Sequence, residues 1–472
     1  MVKITIRNKI LVEGASKSVV NDLTKYLTII NPKHEEAERL GYSTYGINRY
    51  IRNFDFINHN TIEIPRGCRL YLFDLLRKNN SEYKVYDERT IFDYNMEACE
   101  SDLVLRPYQM KYLKHILSSS VEEGIIVSPA GSGKTVMGMV LYASFGQPTL
   151  WLTHTKALLK QTVDRASGLI KHLNKKNIGV IRSGKWDIGE FFTVGMIQTM
   201  IRDPERILDI SNKFGLVILD ESHHCPARTF TEVLSSLNPF FMFGLTATPN
   251  RSDGLGNLMY QNIGPKVLHI PVKEIENDGG IILPTVIYKE TDTKKIEGNN
   301  VSKLLKYLIH NKNRNNLIVS DIVREAMDGE ICIALSTRKE HCEELYKLTK
   351  ISWEKTGIAT GDYKDKENDQ VIKDLEEGRI TVIFTTPDLL GEGFDIDILS
   401  RGFICLPFRS ETRVEQVIGR LQRFHKDKKD VLIYDYVDTN IGVFKDQFHS
   451  VNKSKETRSR VYNRFEISLV PG

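Results

Sequence analysis

The sequence predicts an α/β protein with two tandem domains built on parallel sheets, preceded by a small α+β domain. The first observation is that short apolar runs alternate with helical patterns from about residue 100 to about residue 270. The second is that the same alternation begins again after Leu283 and Pro284. Strands that alternate with helices are typical of parallel sheets with helices on both faces. The third is that the first hundred or so residues lack this alternation and differ in pattern from the rest of the chain.

The bulk composition is that of a folded protein with several domains. The 472 residues are 41% hydrophobic, and a chain of this length is long enough for about three domains. Lysine and arginine total 65 against 61 aspartate and glutamate, which gives a net charge of +4. Affinity for nucleic acid must therefore come from local basic patches and not from the overall charge.

Cysteine usage and the absence of long apolar segments indicate the compartment. The six cysteines are scattered without a C-x-x-C pair, so neither a zinc site nor a disulfide framework is indicated, and a reducing cytosol fits. The amino terminus alternates like a strand and lacks the apolar core of a signal peptide, and no later apolar run approaches about 18 residues. We expect a soluble, cytoplasmic protein that does not act on membranes.

Residues 1–96 are predicted to form the small α+β domain. Within it, TIEIPRGCRLYLFDLLRKNN begins as an alternating strand, turns at Pro65, Arg66 and Gly67, and continues as an amphipathic helix. Residues 1–80 carry 13 basic and 8 acidic side chains. This mild positive excess makes the domain a candidate for binding nucleic acid.

Two α/β domains follow, at residues 97–275 and 276–440, and residues 441–472 form a basic tail. The apolar runs predicted to be strands are GIIVSPA, PTLWLTH, FFTVGMIQ, LVILDE and FMFGLTATP in the first domain, and ICIALST, ITVIFTT, GFICLPF and VLIYDYVD in the second. The tail interleaves six basic residues with aromatic residues. That composition suits either a nucleic-acid clamp or a terminal helix packed on the second domain.

The stretch SPAGSGKT, Ser128 to Thr135, has the pattern of a phosphate-binding loop. It follows an apolar strand and precedes a helical pattern, which is the setting such a loop needs. Gly131 and Gly133 allow backbone N–H groups to turn toward phosphate oxygens, and the helix amino terminus adds partial positive charge. Lys134 is expected to reach the β and γ phosphates, and the Thr135 hydroxyl to bind Mg²⁺. The strict pattern has glycine where this chain has Ser128.

The stretch LVILDESHH places two carboxylates directly after an apolar run. Many buried strands end in a solvated acidic turn, so this stretch alone does not indicate a site. With a phosphate-binding loop in the same chain the interpretation changes, because nucleotide-bound Mg²⁺ needs a carboxylate at a neighbouring strand tip and hydrolysis needs a group that orients water. We predict that Asp220 serves the metal and that Glu221 serves the water.

Four motifs together resemble those of the superfamily 2 helicases. They are Ser128 to Thr135, DESH at 220–223, TATP at 246–249 and QVIGRLQR at 416–423, and they stand in the order and spacing of that superfamily. The chain is most similar to the DEXH group that includes the XPB-related and UvsW-type phage recombination helicases. The resemblance covers about residues 100–440 and implies two RecA-like domains with ATP and Mg²⁺ as cofactors.

The resemblance implies further nucleotide contacts. In LRPYQ, Gln109 is expected to read adenine, since its amide both donates and accepts, with Arg106 beside it; a plain helix start is the alternative. Arg420 and Arg423 are expected to act as arginine fingers on the γ-phosphate, with Gln416 next to them, and their spacing of three predicts one helix face. The expected nucleotide-binding set is Arg106, Gln109, Pro129, Ala130, Gly131, Ser132, Gly133, Lys134, Thr135, Gly393 and Asp395.

The resemblance also implies residues that couple hydrolysis to nucleic acid. His223, Thr246 and Thr248 match the coupling positions, and a simple strand-to-turn role is the alternative for the two threonines. Because Pro387 stands where relatives often have threonine or serine, it is open whether Thr385 or Thr386 contacts phosphate. The expected nucleic-acid contacts are Thr155, Lys156, Gln198, Thr199, Thr337, Arg338, Thr385 and Thr386, each of which could instead belong to an ordinary surface loop.

The sequence thus predicts a monomeric, ATP- and Mg²⁺-dependent motor that moves on and unwinds or branch-migrates single-stranded, forked or branched DNA, with room for protein partners in recombination or replication. Three alternatives stay open. The chain could translocate on duplex DNA without separating strands, as restriction-type motor subunits do. It could act on RNA. It could also be a scaffold that binds nucleic acid without turnover, although the intact motifs argue against this.

Overall fold

The computed structural model describes residues 1–93, 103–221, 227–247, 255–296, 300–393, 396–408, 410–451 and 457–472. The chain divides into two compact units, one made of residues 1–129 and 133–271 and the other of residues 130–132 and 272–472. Over the described ranges, no helix is both long enough and apolar enough to cross a membrane.

The small amino-terminal α+β domain that the sequence predicts is present in the first unit. Its five-stranded sheet has the order β5-β6-β2-β1-β7, in which only the β1–β7 pair is parallel. β3 and β4 form a separate antiparallel pair. The elements are β1 (Val2–Ile6), β2 (Lys9–Glu13), α1 (Lys17–Tyr26), β3 (Thr28–Ile30), α2 (Pro32–Leu40), β4 (Tyr50–Arg52), β5 (Asp55–Asn58), β6 (Thr61–Pro65), a 3-10 turn (Arg66–Cys68), α3 (Arg69–Lys78) and β7 (Tyr83–Asp87).

The core of this small domain follows from the apolar patterns of its sequence. On α3, Leu72, Leu75 and Leu76 are buried while Leu70 is 48% exposed, so the apolar face is narrower than the sequence alone indicates. The alternating strand β6 buries Ile62 against the same core. The buried side chains of the alternating strand β6 and of the apolar face of α3 therefore pack together in one small hydrophobic cluster.

The rest of the first unit forms an eight-stranded sheet of order β11-β10-β12-β9-β13-β14-β8-β15. Every pairing is parallel except that of β10 with the two-residue β11. The elements are α4 (Pro107–Ser118), β8 (Glu123–Val127), α5 (Lys134–Phe145), β9 (Thr149–Thr153), α6 (Lys156–Leu169), β10 (Gly179–Arg182), β11 (Lys185–Trp186), β12 (Phe192–Met196), α7 (Ile197–Met200), α8 (Pro204–Asp209), β13 (Leu216–Asp220), α9 (Ala227–Leu234), β14 (Phe241–Thr246), α10 (Gly256–Ile263) and β15 (Lys266–His269).

The second unit forms a seven-stranded, fully parallel sheet of order β18-β19-β17-β20-β21-β16-β22. The elements are α11 (Val272–Asn277), β16 (Thr285–Glu290), α12 (Val301–Ile309), α13 (Lys312–Met327), β17 (Cys332–Leu335), α14 (Lys339–Ser352), β18 (Thr356–Ala359), α15 (Asp365–Glu376), β19 (Val382–Thr385), α16 (Pro387–Gly393), β20 (Arg401–Ile404), α17 (Glu411–Leu421), β21 (Leu432–Val437), α18 (Gly442–Phe448), α19 (Arg458–Arg464) and β22 (Ser468–Pro471).

Every apolar run that the sequence predicts to be a strand contains one, so the two tandem parallel-sheet domains are confirmed. These strands are buried on both faces, which is why they read as continuous apolar runs. The strands that the sequence does not reveal include β10, β15, β18 and β22, each of four residues, and the six-residue β16, in which only one side chain is fully buried.

The basic tail, residues 441–472, contributes to the second sheet. Its last strand, β22, pairs in parallel with β16. On α19, the fully buried Arg458 donates from Nε to Asp435 at 2.8 Å, and the Tyr462 hydroxyl donates to the same carboxylate at 2.9 Å. Of the two interpretations that the sequence leaves open, packing on the second domain is the one observed.

Candidate functional site

The candidate nucleotide site lies at the carboxyl edge of the first parallel sheet. Strand register places Asp220 of β13 opposite Leu245 of β14, and Thr246 of β14 opposite Val127 of β8. Because neighbouring parallel strands end at the same edge, the loop after β8 and the acids at the end of β13 are brought to one side of the sheet.

The backbone of the phosphate-binding loop has the conformation that its glycines permit. Gly131 and Gly133 have φ of +81° and +76°, a region that other residues rarely adopt. A Cβ atom at Gly133 would lie 2.5 Å from Nε2 of Gln109. The backbone angle therefore favours glycine at 133, and a side chain there would displace the Gln109 amide. The loop leads directly into α5, whose amino terminus is suited to bind an anion.

Gln109 lies next to this loop, as the sequence predicts for an adenine-reading residue. It is 4% exposed, and its Oε1 accepts a hydrogen bond from the backbone N–H of Arg106 at 3.1 Å. That bond belongs to the first turn of α4, as the plain helix-start interpretation predicts, and the adenine-reading role of Gln109 stays a prediction. The bond fixes the orientation of the amide, and Nε2 is the end that faces Gly133.

Lys134 is buried in the loop that it follows. Its Nζ lies 3.4 Å from the carbonyl oxygen of Ser128, 3.5 Å from that of Pro129 and 3.3 Å from Oε1 of Glu221. An anionic ligand bound in the loop would compete with these three oxygen atoms for the Lys134 ammonium group.

The two acids after β13 differ in environment. Burial and the neighbouring carboxylate of Glu221 raise the pKa of Asp220, while the positive charges of Lys134 and Arg165 act in the opposite direction. Glu221 has φ of +49°, a strained angle for a residue with a side chain. Sequence reasoning missed Arg165, since it lies within α6 and belongs to no motif.

The donor set fits ATP with Mg²⁺. A buried carboxylate with a raised pKa gains most from a bound cation, and oxygen ligands such as carboxylate and hydroxyl are those that Mg²⁺ prefers. Asp220 and Thr135 would hold the ion, and the loop N–H groups with Lys134 would hold phosphate oxygens. No cluster of His, Cys, Asp and Glu suited to hold a metal ion by itself is found among the described residues.

The coupling residues are only partly described. The backbone N–H of Ser128 donates to the carbonyl oxygen of Thr246 at 2.9 Å, which ties the phosphate loop to the end of β14. His223 and Thr248, the other two predicted coupling residues, lie outside the described residues.

Two of the four predicted nucleic-acid contacts of the first unit, Thr155 and Thr199, have hydrogen-bond partners within the protein. The Thr155 hydroxyl accepts the Leu158 N–H at 3.2 Å and so caps α6. Lys156 is exposed. The Thr199 hydroxyl accepts the N–H of Ser183 at 3.3 Å, and Gln198 precedes it in the short helix α7.

In the second unit, the predicted contacts lie after β17 and β19. Arg338 is exposed and Thr337 is half-buried. Thr385, the last residue of β19, is fully buried, whereas Thr386 is half-buried. Exposure therefore distinguishes the two threonines that the sequence could not.

The predicted arginine fingers do not share a helix. Gln416 and Arg420 lie on α17, which ends at Leu421, so the prediction that Arg423 lies on the same helix face is wrong. Arg423 instead pairs in a β-bridge with Ile281 and donates to Asp397 at 3.1 Å.

Two of the predicted nucleotide-binding residues, Gly393 and Asp395, follow β19 in the chain. Gly393 ends α16, and Asp395 lies outside the described residues.

Comparison with known families agrees with this fold and site. The family described as "Type III restriction enzyme, res subunit" matches residues 102–251, and the family described as "Helicase conserved C-terminal domain" matches residues 305–425. The two matches fall in the two parallel-sheet domains. The chain belongs to the superfamily 2 helicases and is an ATPase of that superfamily.

Individual relatives are distant. The chain is 26% identical to a protein of Acanthamoeba polyphaga mimivirus named as an ATP-dependent RNA helicase, over 98% of this chain and 86% of that one. It is 23% identical to the ATP-dependent DNA helicase uvsW of Enterobacteria phage T4, over 67% of this chain and 65% of that one. The structure of S. cerevisiae Dbp5 bound to RNA and ADP BeF3 matches with a TM-score of 0.55 and 18% identity, covering 78% of this chain and 90% of that one, which shows a shared fold.

Proposed function

We propose that this superfamily 2 ATPase is a DNA helicase or translocase that acts on single-stranded, forked or branched DNA as a monomer. The observation that carries the proposal is the meeting of Lys134, Asp220 and Glu221 at one edge of the first sheet. The similarity to the phage protein named as the ATP-dependent DNA helicase uvsW supports DNA as the substrate.

The phosphate end of ATP is assigned to the loop and to Lys134. Loop N–H groups donate to phosphate oxygens, and the Lys134 ammonium exchanges its contact with Glu221 for the β and γ phosphates. Asp220 and Thr135 hold Mg²⁺, which when bound offsets negative charge on the phosphates. Gln109 donates and accepts at the adenine edge, and Arg106 positions it.

Hydrolysis is assigned to Glu221 and to the arginines of the second unit. Glu221 orients the attacking water and accepts its proton, once Lys134 has turned to the phosphates. Arg420 and Arg423 supply positive charge to the γ-phosphate, which requires Arg423 to leave Asp397. The backbone bond between Ser128 and Thr246 supports a role for Thr246 in coupling the loop to the nucleic-acid site.

Nucleic-acid binding is assigned to loops at the carboxyl edges of both sheets. Polar groups and helix amino termini at such edges suit backbone phosphates. The amino-terminal domain is proposed to bind duplex or branched DNA, supported by its excess of basic residues.

RNA is the second candidate substrate. The mimivirus relative, which matches nearly the whole chain, is named as an RNA helicase. The carboxyl-edge motifs contact backbone, so they do not by themselves distinguish DNA from RNA.

The test is to measure ATP hydrolysis and unwinding on single strands, duplexes, forks and four-way junctions of DNA, and on RNA of the same sequence. A matched variant, Glu221→Gln, should bind ATP at least as well as the natural protein, since it removes the anion that pairs with Lys134. Its turnover should fall by about 10²-fold or more, the usual contribution of a general base. Lys134→Ala should weaken both nucleotide binding and turnover.

The outcomes separate the candidates. Stimulation of hydrolysis by DNA together with unwinding or branch migration supports the proposal. Stimulation by duplex DNA without unwinding indicates a duplex translocase, and stimulation by RNA alone indicates an RNA helicase. Near-normal turnover of Glu221→Gln would remove Glu221 from the role of base.

A further inference from the structure

A buried hydrogen-bond chain holds the loop between β17 and α14 in the second unit. This loop, Ser336 to Arg338, carries Thr337 and the exposed Arg338, which are assigned to nucleic acid. Ser336 and His341 are 1% and 0% exposed, so the chain is shielded from solvent. His341 is the last residue of STRKEH, the segment that also carries Thr337 and Arg338, and the sequence by itself predicts only a surface or packing role for it.

The hydrogen-bond chain links the 336–338 loop to helices α13 and α14. The backbone N–H of Arg338 donates to Oγ of Ser336 at 3.2 Å. The same Oγ lies 3.1 Å from Nδ1 of His341, on the first turn of α14. Nε2 of His341 lies 3.1 Å from Oδ1 of Asn315 on α13.

The Asn315 end of the hydrogen-bond chain fixes which atom donates and which accepts in each bond. Nδ2 of Asn315 donates to the carbonyl oxygen of Ile309 at 2.7 Å, and that oxygen only accepts. Oδ1 of Asn315 therefore faces His341 and accepts from it, so Nε2 carries a hydrogen. Nδ1 is then the acceptor for the Ser336 hydroxyl, which leaves Oγ free to accept the Arg338 N–H.

The surroundings favour a neutral imidazole. Burial lowers the pKa of His341 well below its usual value, and the positive charge of Arg314 acts in the same direction. A neutral ring with one donor and one acceptor is the form that the chain of bonds requires.

We propose that His341, through Ser336, is a positioning residue that fixes the backbone of the 336–338 loop so that Arg338 is held ready to contact a nucleic-acid phosphate. The inference rests on the proposed function, because it assigns a nucleic-acid contact to this loop. It adds a residue that does not touch the strand, and it predicts the tautomer of that residue.

The test uses the full chain and follows hydrolysis of ATP as nucleic acid is titrated. His341→Phe keeps a buried ring without ring nitrogens. Ser336→Ala removes the hydroxyl and so interrupts the hydrogen-bond chain one step nearer to the loop. Each should raise the nucleic-acid concentration for half-maximal stimulation by about threefold to tenfold, the range expected for one or two hydrogen bonds. The rate at saturating nucleic acid should stay unchanged, since neither residue touches ATP.

A control variant comes from the same helix. Thr349 is fully buried on α14, and its hydroxyl has no hydrogen-bond partner in the part of the chain that the structure describes. Thr349→Val should leave the half-maximal concentration unchanged. If it raises that concentration as much as His341→Phe does, general softening of α14 explains the effect and the proposal fails.

Combination with Arg338→Ala separates positioning from a structural role. If His341 acts through Arg338, the double variant with His341→Phe should bind no more weakly than Arg338→Ala alone. Additive losses would overturn the proposal. If Arg338→Ala weakens binding while Ser336→Ala and His341→Phe do not, only the positioning role is refuted. If Arg338→Ala itself has no effect, the loop contact within the proposed function is refuted, and the positioning role with it.

Nitrogen NMR of His341 supplies a readout that does not depend on activity. The expected result at about pH 6 is a neutral ring protonated at Nε2. A protonated cation, or a ring protonated only at Nδ1, would contradict the direction of the chain and overturn the proposal.

Discussion

Two adjacent threonines at the end of β19 show how burial decides a residue's role. Thr385 is fully buried, and its carbonyl oxygen accepts from the backbone N–H of Ser336 at 3.1 Å and from Sγ of Cys342 at 3.3 Å. Thr386 is half-buried and precedes α16, where its carbonyl oxygen accepts the Leu390 N–H. Only Thr386 has a side chain in reach of solvent, so we expect it to be the phosphate contact.

This expectation is tested by a pair of matched substitutions. Thr386→Val should weaken nucleic-acid binding by about tenfold, since a hydrogen bond to a charged group is lost. Thr385→Val should leave binding unchanged, because the Thr385 hydroxyl is buried and has no hydrogen-bond partner among the described residues. Affinity is measured by fluorescence anisotropy at several salt concentrations. Weaker binding by Thr385→Val alone would reverse the assignment.

At the scale of elements, a buried ionic cluster joins the amino-terminal domain to the strand that leads into the phosphate loop. Nε of Arg66 donates to Glu123, the first residue of β8, at 3.0 Å, and the side chains are 2% and 3% exposed. Arg69 donates to the same carboxylate at 3.0 Å. Arg89 pairs with the neighbouring Glu122 at 2.8 Å. These arginines neutralise acids at the base of β8.

Removing one member of this cluster should be costly. Arg66→Ala leaves Glu123 buried with one partner fewer, so the free energy of unfolding should fall by about 3–5 kcal/mol. Replacing both residues by leucine should cost less than Arg66→Ala alone, because no unpaired charge is then buried. Denaturant unfolding followed by circular dichroism measures both.

An exposed ion pair of the same domain is the control. Lys3 and Glu13 are 2.8 Å apart with side chains 50% and 35% exposed, and Lys3→Ala should not move the unfolding midpoint measurably. A midpoint for Arg66→Ala equal to that of Lys3→Ala would show that the cluster adds nothing to stability.

At the scale of the whole molecule, the contacts of the amino-terminal domain change what its removal should do. Sequence alone favours a separable targeting domain, so that a chain lacking residues 1–96 would keep its ATPase activity. In the structure, however, this domain is in close contact with the first parallel-sheet domain. Asn53 donates to the Gln261 side chain at 2.8 Å, and a Cβ atom at Gly67 would lie 2.5 Å from the backbone nitrogen of Gly264. The two parts pack as one compact unit.

We therefore expect a chain that begins at residue 97 to be unstable and to lose ATPase activity with its fold. The same chain with Glu122→Gln and Glu123→Gln should recover part of its stability, because no buried carboxylates are then left without arginines. Thermal unfolding and ATP hydrolysis are measured together. A folded, active shortened chain without those substitutions would show that the ionic cluster is dispensable.

The structure also shows that fewer basic side chains are free to support the proposed binding of DNA by the amino-terminal domain. Of the 13 basic side chains in residues 1–80, Arg66 and Arg69 are committed to buried acids of the neighbouring domain. Lys25, Arg49 and Arg52 are exposed and are the candidates for the proposed DNA contact. Substitution of these three in the full chain is the cleaner way to test targeting, since no buried pair is broken.

The sequence by itself determined the fold class and predicted the candidate nucleotide site. Buried parallel strands must be apolar along their whole length, so runs such as LVILD reveal themselves without any tertiary information. The phosphate loop is equally local, because Gly131, Gly133 and Lys134 act through their own backbone angles and a helix that follows directly. The edge strands β18 (TGIA) and β22 (SLVP) were missed because they lack the continuous apolar run that reveals the equally short β17 and β19.

The tertiary structure decided what depends on partners distant in the chain. Whether Arg66 is a DNA-binding charge or half of a buried pair depends on Glu123, 57 residues away. Whether His341 is packing or a link to a loop depends on Asn315 and Ser336, which lie on separate elements. A pattern in sequence records the preference of a residue for burial or solvent, but the free energy of a charge or a polar group is set by the groups that folding places against it.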